Sequence, residues 1–378
     1  MQAMPATKNP VSNVKKPHGR DYYLSLASSG LSMPIGTDLV LNESGDAERA
    51  RHDGRALGHV IERAAKRWGT PLAIPLMDLR LEKIDLLGLI GVREHDADKF
   101  QFSSPLDESS LARLSTQDAI PLCPGSQARA EAIAYIATRT DLLPIGMTIG
   151  PFSLATRLMA DPVSASGLSG AGVAPEDAPE VLLLQQCLRI AEAAVQRSIR
   201  NQIEHGTQAV IICEPAASIA FLSPRQIKAG SDIFEQLVMA PNLRLKSHLD
   251  ASGVDLVFHD CGELTSQMVS EFAHRLRPVI LSLGSSRKLW EDAALVPPGV
   301  VLYGNLPTKS FYSDSAMPLE KVRQIARELV ENMKASGHPH ILGSECDVLF
   351  VPDASEPIRR KIDAVFSGAG FLAPVPKE

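Results

Sequence analysis

Short apolar runs alternate with longer stretches of helical period along this chain. The runs at 71–77, 142–149, 208–213, 254–258, 278–283, 300–303 and 340–342 are apolar at nearly every position. A run that short with no polar face suits a strand covered on both sides, as parallel strands are. Between them the pattern is that of helices, over 51–68, 127–139, 179–205, 224–236, 242–252, 263–275, 318–336 and 356–368. Seven or eight β/α units without a break in composition predict an α/β protein built as a single closed (β/α)8 barrel of the TIM type. An open doubly wound sheet would show the same alternation. The chain has no G-x-G-x-x-G or G-x-x-x-x-G-K-[ST] loop, which counts against a nucleotide-binding sheet.

Two segments stand outside that alternation. Residues 160–178 are rich in Gly, Ser, Ala and Pro and are predicted to be a flexible insertion, either a lid or a solvated loop. Residues 1–20 carry Lys8, Lys15, Lys16 and Arg20 with no acid, and Pro5, Pro10 and Pro17 interrupt any helix there. A disordered arm over 1–20 is therefore expected, followed by the barrel over 21–378.

Composition narrows the classes. At 378 residues, 44% hydrophobic and 22% charged, the chain is long and apolar enough for a large globular core, which excludes a disordered or fibrous class. A net charge of −6 gives no basic footprint for nucleic acid. No apolar run reaches the length of a membrane span, and the first 20 residues lack the apolar core of a secretory signal. Five cysteines, an odd and sparse set, suit a reducing compartment, so a cytoplasmic protein with small-molecule or protein partners is expected.

Barrel enzymes carry their chemistry at the C-terminal ends of the strands. The polar residues that end the apolar runs are Asp78, Thr148, Glu214, His259 with Cys261, Ser282, Asn305 and Cys346. In an extended strand residues i and i+2 share a face, so His259 and Cys261 would point into one site and Asp260 away from it. Cys346 ends another run and would bring a third ligand to the same rim. A His/Cys/Cys set leaves the fourth position of a zinc ion open, as catalytic zinc requires. The same residues also suit a hydrogen-bonded strand-end histidine and two buried thiols. Glu214 and Asp78 are candidate proton acceptors or a displaceable fourth ligand, with a salt bridge or helix cap as the alternative. Asn305 would either contact substrate or orient backbone. Cys123, Cys187 and Cys213 are expected to be small buried hydrophobes. An apolar concave surface is expected around Phe152, Phe221, Tyr303 and Phe311.

The motifs His259-Asp260-Cys261-Gly262, Tyr303-Gly304-Asn305-Leu306-Pro307 and Ile341-Leu342-Gly343-Ser344-Glu345-Cys346 resemble the uroporphyrinogen decarboxylase superfamily, in its zinc-dependent corrinoid methyltransferase branch. Met33-Pro34-Ile35-Gly36-Thr37-Asp38, Leu76-Met77-Asp78 and Cys213-Glu214-Pro215 are similar to it as well. The resemblance implies a β/α barrel with a catalytic zinc on His259, Cys261 and Cys346. It further implies methyl transfer between a small thiol, ether or amine and the cobalt of a corrinoid (cobalamin) carried by a partner protein. The decarboxylase that names the superfamily needs no metal, and Asp78 matches the aspartate it uses beside its pyrroles. That enzyme opens with an arginine-rich segment for substrate carboxylates, which residues 21–26 here lack. Glu345 stands where the family usually has a small residue, and would either bring charge near the metal or face solvent.

Overall fold

The computed structural model describes residues 15–43, 45–116 and 121–367. Seven strands form one parallel sheet whose spatial order follows the chain: β1 (Leu72–Ala73), β2 (Leu143–Ile149), β3 (Ala209–Cys213), β4 (Asp255–Asp260), β5 (Ile280–Leu283), β6 (Val301–Leu306) and β7 (His340–Ser344). Each successive pair is joined by a crossover that contains helix, and the sheet curls on itself. Residues 32–35 fill the remaining gap. Ser32 and Ile35 bridge to Leu342 and Asp347 in parallel, and Met33 N donates to Leu342 O at 3.0 Å. On the other side Thr37 Oγ1 donates to Ile74 O at 2.7 Å, which ties the segment to the chain leaving β1. The barrel of the sequence reading is therefore present, with an irregular eighth stave that hydropathy did not single out. Pro34 lacks the N–H that a regular ladder needs, so only isolated bridges form.

The apolar runs are strands because both faces are covered. Ile145 and Met147 of β2, Ala209, Ile211 and Cys213 of β3, Val257 of β4, Ile280 of β5, and Val301 and Tyr303 of β6 fill the barrel interior. Their neighbours Val210, Ile212, Leu256, Phe258, Leu281 and Leu302 face the helices instead. Full burial of an aliphatic side chain is worth about 1.5–3 kcal/mol, so a one-residue slip of any strand would misplace both sets at once. Tyr23, on helix Arg20–Ser28, joins the interior cluster and is fully buried.

The two segments outside the β/α alternation can now be placed. The expected disordered arm falls partly on residues 1–14, which lie outside the described residues. At its end the chain is held. Lys16 N donates to Gln208 Oε1 at 2.9 Å, Gly19 N to Asp255 Oδ2 at 2.7 Å, and Arg20 reaches the carbonyls of Arg277, Pro278 and Gly299. The Gly/Ser-rich segment after β2 is not a loose insertion either. It contains helix Pro162–Gly170, started by Pro162 in the first turn and by Asp161, whose side chain accepts from Ser164 N. No helix among the described residues is long and apolar enough to cross a membrane.

Candidate metal centre

β4 presents His259 through simple alternation. Val257 points into the barrel, so His259 does too, and the register sets it beside Cys213 of β3 and Ser282 of β5. The ring is 1% exposed. Its Nδ1 lies 2.8 Å from Ser282 Oγ, while its Nε2 is buried with no partner. Buried polar atoms are nearly always satisfied, so an orphaned imidazole nitrogen calls for an explanation.

Two sulfurs supply it. Cys261, just past β4, and Cys346, just past β7, bring Sγ atoms to 3.6 Å of each other. The ligand atoms of His259, Cys261 and Cys346 all lie within 4.8 Å of one another. A disulfide would need about 2.05 Å, whereas two sulfurs about 2.3 Å from one tetrahedral ion stand roughly 3.8 Å apart. The spacing and the orphaned nitrogen both fit zinc. Among the described residues this is the one group of three or more His, Cys, Asp or Glu side chains that converges in this way.

The two thiols differ in acidity. The Cys261 hydrogen bond, helped by the charge of Lys309, holds Cys346 below the usual thiol range against the effect of burial. That same hydrogen bond and burial push Cys261 up to about 12. Burial works against the Lys309 ammonium, but the charges of Cys261, Cys346 and Glu345 outweigh it and raise its pKa. A cation therefore stands beside the sulfurs.

The surrounding loops are fixed by polar contacts. Asn305, which follows a cis peptide bond, donates from Nδ2 to the carbonyls of Gly284 at 2.8 Å and Arg287 at 2.9 Å. Both of its bonds go to backbone, so it orients the loop after β5. Gly284 in that loop packs against the Cys261 backbone so closely that an added Cβ would lie 2.7 Å from Cys261 O. Glu345 is 6% exposed and accepts from Ser285 and from Lys309 N, so it is neither solvent-facing nor one of the converging ligands.

The carboxylates expected at the rim are not among the converging ligand atoms. Glu214 follows the inward-facing Cys213, so alternation turns it outward, where it is fully buried. It accepts from Ser153 N at 2.5 Å in the first turn of helix Pro151–Leu158, and from Asn242 Nδ2 at 2.9 Å. Gly150 leaves room for it, since a Cβ there would lie 2.1 Å from Oε2. Burial raises its pKa despite those hydrogen bonds. It caps that helix and is not among the converging ligand atoms. Asp260 also faces outward, its Oδ1 accepting from Gly262 N at 2.8 Å.

Asp78 lies at the side of a separate cavity of about 460 Å³, lined also by Arg51, His52, Arg80, Glu94 and Asp98 and by none of the three converging ligands. Arg80 grips it through Nε at 2.8 Å and Nη2 at 2.7 Å. Burial would raise the Asp78 pKa, but those bonds and the Arg80 charge prevail and lower it. The expected aromatic surface is absent. Phe152, Phe311 and Tyr303 are buried in the core, and Phe152 meets Phe221 edge to face at 6.2 Å. Exposed apolar residues at the rim are instead Ile219 after β3, Tyr312 after β6, and Leu349 and Val351 after β7, with Val163 and Leu168 on helix Pro162–Gly170.

The sequence profile of one family, Uroporphyrinogen decarboxylase (URO-D), matches residues 54–365. No curated protein matches the chain. Among solved structures, a methyltransferase from Methanosarcina mazei aligns with a TM-score of 0.61 over 93% of this chain and 100% of its own, at 17% identity. At that identity the likeness establishes a shared fold.

Proposed function

The chain belongs to the uroporphyrinogen decarboxylase family, and within it we propose that the protein is a zinc-dependent methyltransferase. It moves a methyl group between a small thiol, ether or amine and the cobalt of a corrinoid carried by a partner protein. The observation that carries this reading is the convergence of a His259 ring nitrogen with the sulfurs of Cys261 and Cys346 at the C-terminal mouth of the barrel, with Nε2 left unpartnered. The fold shared with a methyltransferase supports it.

A zinc ion held there supplies a Lewis acid, which favours the deprotonated form of a substrate thiol in one direction and polarises an ether, thioether or amine leaving group in the other. The chain's own residues do the rest. Binding through His259 Nε2 requires the proton on Nδ1, and Ser282 Oγ, 2.8 Å away, accepts it. Cys261 and Cys346, as thiolates, carry two negative charges that match a divalent cation and leave the centre neutral. Lys309, whose pKa the two sulfurs raise, would offset the further negative charge of a substrate thiolate at the centre. Below the ring, Ile211, Val257, Ile280 and Tyr303 line a cavity of only about 20 Å³.

A corrinoid is too bulky to enter a closed barrel, so its carrier must dock on the mouth. The exposed Ile219, Tyr312, Leu349 and Val351 around that mouth are suited to such a contact. The alternative is a metal-free decarboxylase that uses Asp78. It is less well supported, because Arg80 already occupies both oxygens of that carboxylate. The test is methyl transfer from free methylcobalamin to a panel of small thiols, followed by the absorbance change of the corrinoid. Zinc-dependent transfer is expected. Carbon dioxide release from a porphyrinogen, with no methyl transfer in either direction, would put the decarboxylase in its stead.

A further inference from the structure

The two cysteines leave strand ends three strands apart in the sheet, and nothing in either strand fixes the distance between their sulfurs. One side chain links them. Glu345 Oε2 accepts from Ser285 Oγ at 2.5 Å and from Ser285 N at 3.4 Å, in the loop after β5. Its Oε1 accepts from Lys309 N at 3.1 Å, in the loop after β6. Ser285 follows Gly284, whose backbone lies against Cys261 and whose N donates to Asp260 O at 3.2 Å. Glu345 itself precedes Cys346, and its N donates to Leu306 O at 2.8 Å. An unbroken path therefore runs from Cys346 through Glu345, Ser285 and Gly284 to Cys261.

We propose that Glu345 is the positioning residue that sets the separation of the two cysteine sulfurs, and that it does so through Ser285. The proposal rests on the reading of His259, Cys261 and Cys346 as a metal centre. Zinc distances are tolerated only within about 0.2 Å, so loops free to drift independently would weaken binding even with every ligand present. A glutamate suits the task because its two diverging oxygens hold two loops at once. Glutamine at this position has one acceptor and can hold only one of them. The buried setting, 6% exposed, keeps water from replacing either contact.

The experiment measures metal affinity, by competition with a chromophoric chelator, in the full-length protein and in Glu345→Ala, Glu345→Gln, Ser285→Ala and the Glu345→Ala/Ser285→Ala double variant. Loss of such outer contacts typically costs about 10- to 100-fold in affinity, and Glu345→Ala should fall in that range. Ser285→Ala should follow in the same direction, and the double variant should bind no worse than Glu345→Ala, because one path is being cut twice. With cobalt(II) in place of zinc, the thiolate charge-transfer band should weaken in Glu345→Ala. Amide hydrogen exchange at residues 284–287 and 308–311 of the metal-free protein should accelerate in the same variant. Affinity within twofold of the parent, unchanged exchange, or strictly additive effects of the two substitutions would overturn the proposal. If Glu345→Ala fails to fold, Glu345→Gln carries the comparison. A parent protein that takes up no metal would sink the metal reading alone, and exchange in the metal-free variants would still decide whether Glu345 ties the loops.

Discussion

The sulfur of Cys261 stands 3.6 Å from that of Cys346, although 85 residues of chain separate them. Parallel strands of one curled sheet bring them together, and His259, whose Nε2 has no partner, completes the set. Ligand removal should therefore cost metal before it costs the fold. Cys261→Ser and Cys346→Ser proteins should keep the far-ultraviolet circular dichroism of the parent and lose stoichiometric zinc. A ligand at 100 times its dissociation constant stabilises by about 2.7 kcal/mol, so a chelator should lower the parent melting temperature by several degrees and leave the variants unchanged. Equal shifts in all three proteins would mean that the metal binds elsewhere.

Ser282 Oγ holds the orientation of the His259 ring through its 2.8 Å contact with Nδ1. Ser282→Ala should weaken metal binding by about 10- to 100-fold while retaining the stoichiometry, measured by chelator competition. Undiminished affinity would show that the ring needs no partner to hold its orientation.

Glu214 separates a capping role from a ligand role. Glu214→Gln keeps an acceptor for Ser153 N and should leave metal affinity unchanged, whereas Glu214→Ala strips the cap and should cost about 1–3 kcal/mol in denaturant unfolding. A loss of zinc in Glu214→Gln would reinstate the carboxylate as a ligand.

His340 should make stability fall in acid. Burial pushes its pKa down to about 4, against the pull of its Nε2 contact with Gly304 O at 2.9 Å. The unfolded chain then binds a proton near pH 6.5 that the folded chain refuses until about 4. Stability contributed by the neutral ring is thus full above the unfolded value and declines as pH falls from 6.5 toward 4, by at most about 3 kcal/mol. Unfolding of His340→Gln, followed against pH, should show a shallower slope across that window. A slope identical to the parent would assign the acid sensitivity to other groups.

Much of this was legible in the sequence, and the exceptions have physical reasons. The seven strands were visible because apolar residues cover both faces of each run. The stave at 32–35 was not, because it pairs at only two positions around a proline. Helix Pro162–Gly170 was hidden by Gly and Ser, though Asp161-Pro162 is a start signal. The convergence of His259, Cys261 and Cys346 followed from the i, i+2 rule at β4 and the strand end at Cys346. The same rule, applied to Cys213 and Glu214, would have turned Glu214 away from the sulfurs. Ser285 and Lys309 left no mark, because their contacts with Glu345 join loops that are distant in sequence.

The central claim is best tested by the zinc content of the purified full-length protein, measured by plasma mass spectrometry beside the Cys346→Ser protein. The account predicts one zinc per chain in the parent and none above background in the variant. Parent protein that remains metal-free after zinc supplementation, or a variant that retains the full amount, would contradict it.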